Sequence, residues 1–283
     1  MTGIGFGPTS PAAAGLVDGL RRRSPVGLDQ VMAHAALLTR VDRKYLVPLS
    51  AFNRVLAGLG DQFRALEIDG RRVFHYRSVY FDTAELAGYH HHLQGRRHRF
   101  KVRTRTYLDS GDCVLEVKAK GHRDRTVKYR SPYPAADSER LTAAGLDFVA
   151  DRLAGAAPAR SGATGSTAPR SSGIDIARLA PALTTGYRRA TLVDLTSGSR
   201  LTCDVDLTFR AGDRTASGPA AAVLVESKSA TGTGPADVLL RGLGVRPLPM
   251  SKYCLGIALV HPWVRSNPWH RTLRRHFVSP QQG

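Results

Sequence analysis

His98-Arg-Phe-Lys-Val-Arg-Thr-Arg-Thr-Tyr107 alternates without a break: Arg99, Lys101, Arg103 and Arg105 fall on one parity, and Phe100, Val102, Thr104 and Thr106 on the other. Successive side chains of a β-strand point to opposite faces. One face of this strand is therefore a row of cations about 6.5–7 Å apart. Like charges in a row repel, so the face must be solvated or meet a polyanion. A lone half-exposed antiparallel strand shows the same pattern with no functional meaning. The other strands decide between these readings.

They repeat the pattern with the same sign. In Asp112–Lys120, Glu116, Lys118 and Lys120 oppose Leu115 and Val117. In Thr126–Arg130, Lys128 and Arg130 oppose Val127 and Tyr129. Thr185–Asp194 carries Tyr187 and Arg189 on one parity. Arg200–Leu207 sets Arg200, Thr202, Asp204 and Asp206 against Leu201, Cys203, Val205 and Leu207. Ala222–Lys228 sets Leu224, Glu226 and Lys228 against Val223, Val225 and Ser227. Arg40–Val47, stopped by Pro48, and the more apolar Val73–Phe81 add strands, for eight or nine in all.

Helices are expected between them, over Leu28–Leu38, Ala51–Leu59 with Ser50 as cap, Ala84–Leu93 capped by Asp82 or Thr83, Ser138–Leu153, Pro235–Leu243 and Ser251–Val260. The Gly/Pro/Ala-rich residues 1–27 read as a flexible tail, 28–260 as one domain, and the basic residues 261–283 as an irregular tail. A low-complexity run at 155–173 reads as a mobile loop. The fold class is α+β: an antiparallel β tunnel barrel with a charged lumen, flanked by helices that cover its apolar outside. Such a lumen persists only if wet or filled with counter-charge.

Composition bounds the partners. The chain has 283 residues, 42% hydrophobic, with 41 Lys+Arg against 23 Asp+Glu and a formal net charge of +18. Its mean hydropathy is −0.22 and its sequence pI about 10.6. That field draws anions of any kind. The basic strands lack interleaved stacking aromatics, so a specific nucleic-acid platform is not expected. Three cysteines, Cys113, Cys203 and Cys254, fit a reducing cytosolic setting and no disulfide framework. No signal peptide and no run near the roughly 20 apolar residues of a membrane helix is expected. His90-His91-His92 cannot share one ion on a helix, because consecutive residues point apart.

Asp42-Arg-Lys-Tyr45, Ser78-Val-Tyr-Phe-Asp-Thr83, Lys101-Val-Arg-Thr-Arg105, Leu115-Glu-Val-Lys118, Lys128, Gly186-Tyr-Arg-Arg189, Arg200-Leu-Thr-Cys-Asp204, Leu224-Val-Glu-Ser-Lys228 and Ser251-Lys-Tyr253 follow one another across about 40–260. In this order they resemble the VTC domain, the polyphosphate polymerase branch of the triphosphate tunnel metalloenzymes (CYTH-like superfamily). The resemblance implies a tunnel lined by Lys44, Arg103, Arg105, Lys118, Lys128, Arg189, Arg200 and Lys252, joined by Tyr187, with Glu226 holding a divalent metal, Mn²⁺ or Mg²⁺. It implies transfer of the γ-phosphate of ATP onto a growing polyphosphate chain. It also implies a cytoplasmic setting, with any membrane association made through a membrane-protein partner.

The chain departs from the wider superfamily, whose opening Glu-x-Glu-x-Lys is here Arg40, Asp42 and Lys44. That puts a hydrolytic two-metal site in doubt. Pro249 stands where family members often carry a further lysine. Glu226 has a structural alternative, pairing with Lys228, and Glu116 is a second metal candidate that equally suits a cation partner. Asp204 and Asp206 suit pairing with arginines. Three functions stay open: a polymerase, a tunnel triphosphatase, and a non-catalytic polyphosphate-binding sensor.

Overall fold

The structure is a computed structural model that describes residues 7–34, 41–120, 126–155 and 173–277. Arg40, the end of the helix expected at 28–38, and nearly all of the 155–173 loop lie outside the described residues.

Residues 10–21, expected to belong to a flexible tail, are ordered as a helix. Ser10 caps helix α1 (Pro11–Arg21) by accepting from Ala13 N at 3.2 Å, and Pro11 sits in its first turn. Ala12, Ala13, Leu16 and Leu20 are buried. Composition misled here for a physical reason. Gly15 and Gly19 face helix α3 (Leu49–Gly58) so closely that any Cβ would collide with Leu49 and Leu56. The glycines are a packing surface, not a sign of disorder.

Between these helices lie β1 (Pro25–Val26), α2 (Leu28–His34) and β2 (Val41–Pro48). Pro48 itself, not Ser50, stands at the cap of α3. The chain continues through β3 (Phe63–Leu66), β4 (Phe74–Asp82), α4 (Ala87–Leu93), β5 (Phe100–Tyr107), β6 (Cys113–Lys120) and β7 (Thr126–Pro132). After α5 (Ala143–Gly155) come β8 (Ala180–Asp194), β9 (Arg200–Ala211), β10 (Arg214–Ser217), β11 (Ala222–Ser229), α6 (Pro235–Gly242) and α7 (Lys252–Val260). The C-terminal segment, expected to be irregular, forms α8 (His270–His276) and buries Trp269 and Phe277. The short strands β1, β3 and β10 carry no long alternation, which is why the sequence pattern passes over them.

The sheet runs β2-β11-β9-β8-β4-β5-β6-β7, with β10 added to β9 and β3 to β8. Every pairing is antiparallel except β1 with β3. Edge strands β2 and β7 make no ladder with each other among the described residues. The sheet nevertheless curls. Lys118 on β6 and Glu226 on β11 act on each other electrostatically, although β9, β8, β4 and β5 separate their strands. Laid flat at about 4.8 Å per strand, they would stand roughly 24 Å apart.

Apolar parity faces outward and charged parity inward. One outer cluster joins Tyr45, Val47, Val223, Val225, Leu201, Cys203 and Leu192 to α1, α3 and α6. Another joins Val79, Phe81, Phe100, Val102, Leu115 and Val117 to α5. Helix α7 enters the concave side and packs on Leu183 and Phe209. Asp82 ties α4 to α7. It accepts from the backbone N of Thr83, Gly88 and Tyr89 at 2.7–2.9 Å and from the Tyr253 hydroxyl. The helix starts later than expected, with Leu86 at its N-cap; Asp82 and Thr83 accept from its first N–H groups across the intervening turn.

A Cβ at Gly256 of α7 would lie 2.5 Å from Leu183 Cδ2 and 2.6 Å from Phe209 Cδ1. Overpacking of this kind costs about 1–3 kcal/mol. Gly256→Ala is expected to lower Tm by roughly 2–10 °C. Gly242→Ala, with nothing within 4 Å, serves as the control in the same melting experiment.

Candidate functional site: a basic concave face

Three carboxylates, two buried and one half-buried, organise the inward face. The first is Glu116 on β6, with no exposed surface. Arg103 Nε and Nη2 reach its Oε2 at 2.6 Å, and Arg105 Nη2 lies at 3.7 Å. Lys128 and Arg130 of β7 meet Oε1 at 2.5 and 3.2 Å. Strand register produces this cluster, because Arg103 and Arg130 both stand directly opposite Glu116. Burial alone would raise the Glu116 carboxyl; Arg103 and Lys128 reverse that and hold it down to about 2.

The second carboxylate is Asp204 on β9. Arg189, its cross-strand neighbour on β8, grips it in two-pronged fashion at 2.5 and 2.8 Å. Lys252 Nζ, at the start of α7, bonds the same group. Burial works against the Asp204 charge, but Arg189 and Lys252 hold its carboxyl below the ordinary value. The third is Glu226 on β11, between Lys228 at 2.9 Å and Lys44 of β2 at 3.4 Å. Burial again opposes the charge, and Lys228 and Lys44 hold this carboxyl well below its usual range.

Not every cation is matched. Lys118 makes no ion pair among the described residues; burial, then repulsion from Arg103, pull its ammonium down to about 7. Lys101 meets only His92 Nδ1, at 3.3 Å. Because His92 Nε2 lies 3.0 Å from the Phe100 carbonyl, that nitrogen carries the imidazole proton and Nδ1 accepts from Lys101. Burial, followed by repulsion from Arg99 and Lys44, lowers Lys101 to about 8. Lys128 is lowered to about 8 by burial, partly offset by Glu116.

The expected site residues therefore all sit on one face or at its edge. Arg103 and Arg105 are close to fully covered, whereas Lys128 lies on the open edge strand with its side chain 30% exposed. Arg200 begins β9 opposite Lys228. Tyr187 lies beneath Lys252 Nζ, 4.5 Å from its ring centroid, and its hydroxyl has no partner. Arg105 Nε and the hydroxyls of Ser78, Thr185 and Thr202 are buried without partners as well. Ser78 stands directly between Arg105 and Thr185 across the strands.

One alternation fails. Asp206 was expected to share the face of Asp204. A β-bulge opposite Tyr187, with Asp206 at φ 52°, shifts the register. Asp206 pairs instead with Arg188 at 2.6 Å, and Arg188 also reaches Thr9 just ahead of α1. The sequence reading also missed Tyr76, Tyr80 and Tyr107. Tyr80 accepts from Arg103 Nη1 at 2.8 Å, and Tyr76 stacks on Tyr187 at 5.3 Å. Their parity in Val73–Phe81 and in the opening strand was the available signal.

No group of three or more His, Cys, Asp or Glu side chains is placed to hold a metal among the described residues. Glu226 with the unpartnered Thr202 hydroxyl directly opposite it supplies oxygen donors that fit a hard divalent ion shared with phosphate oxygens.

No curated protein is similar to this chain in sequence. Among solved structures, a Bacillus halodurans protein named as a candidate adenylate cyclase is 15% identical, with TM-score 0.43, covering 75% of this chain and 94% of its own. HpAC1 from Hippeastrum, described as having a dominant triphosphatase activity, is 16% identical with TM-score 0.42, covering 78% and 96%. The PH1012 protein of Pyrococcus horikoshii OT3 is 13% identical with TM-score 0.38, covering 76% and 97%. The sequence itself matches the VTC domain over residues 39–261. Because that match runs from before Lys44 to beyond the end of α7, the chain belongs to the VTC domain family.

Proposed function

We propose that this protein is an ATP-dependent polyphosphate polymerase, moving the γ-phosphate of ATP onto the end of a polyphosphate chain and releasing ADP. The observation that carries the reading is the surplus of cations over carboxylates on the concave face, with Lys118 and Lys101 in no direct ion pair among the described residues. Joining two polyanions asks a protein mainly to position them and neutralise charge. Arginine supplies planar two-pronged contacts and lysine point charge. The attacking oxygen belongs to an already ionised phosphate, so chain growth needs no general base.

Arg103, Arg105, Lys118, Lys128, Arg189, Arg200, Lys252 and Lys44 are the groups assigned to phosphate, with the free Tyr187 hydroxyl as a further donor. Phosphate would take over contacts that Glu116 and Asp204 now hold. Glu226 and Thr202 would hold Mn²⁺ or Mg²⁺ together with substrate oxygens, and the ion supplies charge neutralisation across the phosphates. Three buried free thiols suit a reducing cytoplasmic setting. Among the described residues no helix is long and apolar enough to cross a membrane.

A second reading is a triphosphatase. Lys118, lowered to about 7 by burial and by repulsion from Arg103, is able to accept a proton from water near neutral pH. Incubation with ATP and Mn²⁺, with and without a short polyphosphate primer, separates the two. Long polymer with matching ADP is the expected result; free phosphate without polymer transfers the assignment to hydrolysis. Tight polyphosphate binding without turnover would leave a sensor.

Arg103→Ala and Glu226→Ala are each expected to lower turnover by about 100-fold or more, with the fold intact by circular dichroism. Unchanged rates in both would remove these residues from the site. Affinity for tripolyphosphate is expected to fall as pH rises through about 7 to 8, because Lys118 and Lys128 hold phosphate only when protonated. Calorimetry in buffers of different ionisation enthalpy should show proton uptake on binding at pH 8. Uptake absent there would contradict the lysine assignment.

A further inference from the structure

The C-terminal segment is built onto the fold. Residues 247–250 form a strap between α6 and α7, and Leu248 N in it donates to the Lys44 carbonyl at 2.7 Å. The Trp269 indole N–H donates to the Pro249 carbonyl of the strap at 3.0 Å. The Tyr89 hydroxyl of α4 donates to the Arg265 carbonyl at 2.7 Å. Trp269, Thr272 and Phe277 are buried. Residues 261–277 are therefore tethered at two points and hold a fixed orientation.

What the segment turns outward is of two kinds. Trp263 is 64% exposed. The Arg214 guanidinium of β10 lies over its ring, 4.3 Å from the centroid, and the His261 ring meets it edge-on with centroids 4.9 Å apart. These contacts fix the indole and leave most of it to solvent. Along the same segment Arg265, Arg271, Arg274 and Arg275 are exposed. No Asp or Glu follows Asp237 in the chain, although Asp213 beside Arg214 subtracts one charge from the field. Basic residues in the last turn of α8 suit the helix dipole and need no partner. A large aromatic side chain held out into water among them does.

We propose that residues 261–275, with Arg214, form a docking surface for a bilayer rich in anionic lipid. An indole settles at headgroup level, where its ring meets apolar chains and its N–H stays wet. Arginines on the same segment meet the lipid phosphates, whose attraction acts within a Debye length of the surface. A dissolved polyanion offers charge but no apolar phase for Trp263. Single-stranded nucleic acid calls for several stacking aromatics along its path, and Trp263 is the one exposed Trp, Tyr or Phe of residues 261–277. The contact is direct. It requires no membrane-spanning helix and no membrane protein, and it stands or falls independently of the polymerase reading.

The full chain should be sedimented with vesicles of phosphatidylcholine alone and with vesicles carrying about 30% phosphatidylglycerol. Binding to the anionic vesicles only is expected. Trp263→Ala, and separately the pair Arg271→Gln and Arg274→Gln, should each weaken it about fivefold or more. Trp263→Ala leaves the net charge at +18 and so keeps every nonspecific attraction; unchanged affinity in that variant overturns the proposal. Equal binding to neutral vesicles, or binding to neither, overturns it as well. Wild type supplies a readout that needs no variant. Of the two tryptophans Trp269 is already buried, so a shift of emission to shorter wavelength and quenching by brominated lipid report Trp263. Vesicle binding with neither change removes Trp263 from the contact and the proposal with it. A single-stranded oligonucleotide is titrated in parallel: if Trp263→Ala weakens its binding more than that of vesicles, the surface serves nucleic acid and the lipid assignment fails.

Discussion

Glu116 carries a charge with no exposed surface, and it does so only because cations from β5 and β7 close around it. An isolated carboxylate so placed would neutralise instead of staying ionised. The dependence also runs the other way. Arg103, Arg105, Lys128 and Arg130 would repel one another without a shared anion. A buried ion cluster of this kind is weak evidence of net stability, since desolvation offsets much of the attraction. Its consequence is geometric: the guanidinium groups are held in fixed directions before any phosphate arrives.

The same device recurs at Asp204 and Glu226, and the repetition makes a working surface from a hazardous one. Each carboxylate holds fewer charges than surround it, so the face keeps a positive surplus within a shape set by ion pairs. On the proposed function, arriving phosphates would replace carboxylate contacts and would not need to build new ones from disordered side chains. Preorganisation of this sort is where electrostatic stabilisation is most effective. Buried hydroxyls without partners at Ser78, Thr185, Tyr187 and Thr202 lie among the cations and add neutral donors to the same face.

Helix α7 joins this chemistry to the fold. Its first residue, Lys252, bonds Asp204; its second, Tyr253, bonds Asp82; and its Gly256 lets Leu183 and Phe209 press against the backbone. Displacing the helix would therefore move a cation, release α4 and open the concave side together. The strap that precedes it, bonded to the edge strand and to Trp269, ties the C-terminal segment to one mouth of the face.

Alternation in 99–105, 112–120, 200–204 and 222–228 was enough to assign strands, to separate an apolar from a charged face and to name most of the cations, because strand parity is a local property of the backbone. Three things were not local. The curl that brings Lys118 to Glu226 depends on the whole strand order. The bulge that turns Asp206 away from Asp204 depends on the register shift between β8 and β9 on either side of Tyr187. The docking of α1, hidden in a Gly/Ala-rich opening, depends on a partner helix close enough to exclude a Cβ. A residue's parity is written in its neighbours along the chain, but which charges meet, and which remain without a counter-ion for a phosphate, is settled only when distant strands share one concave surface.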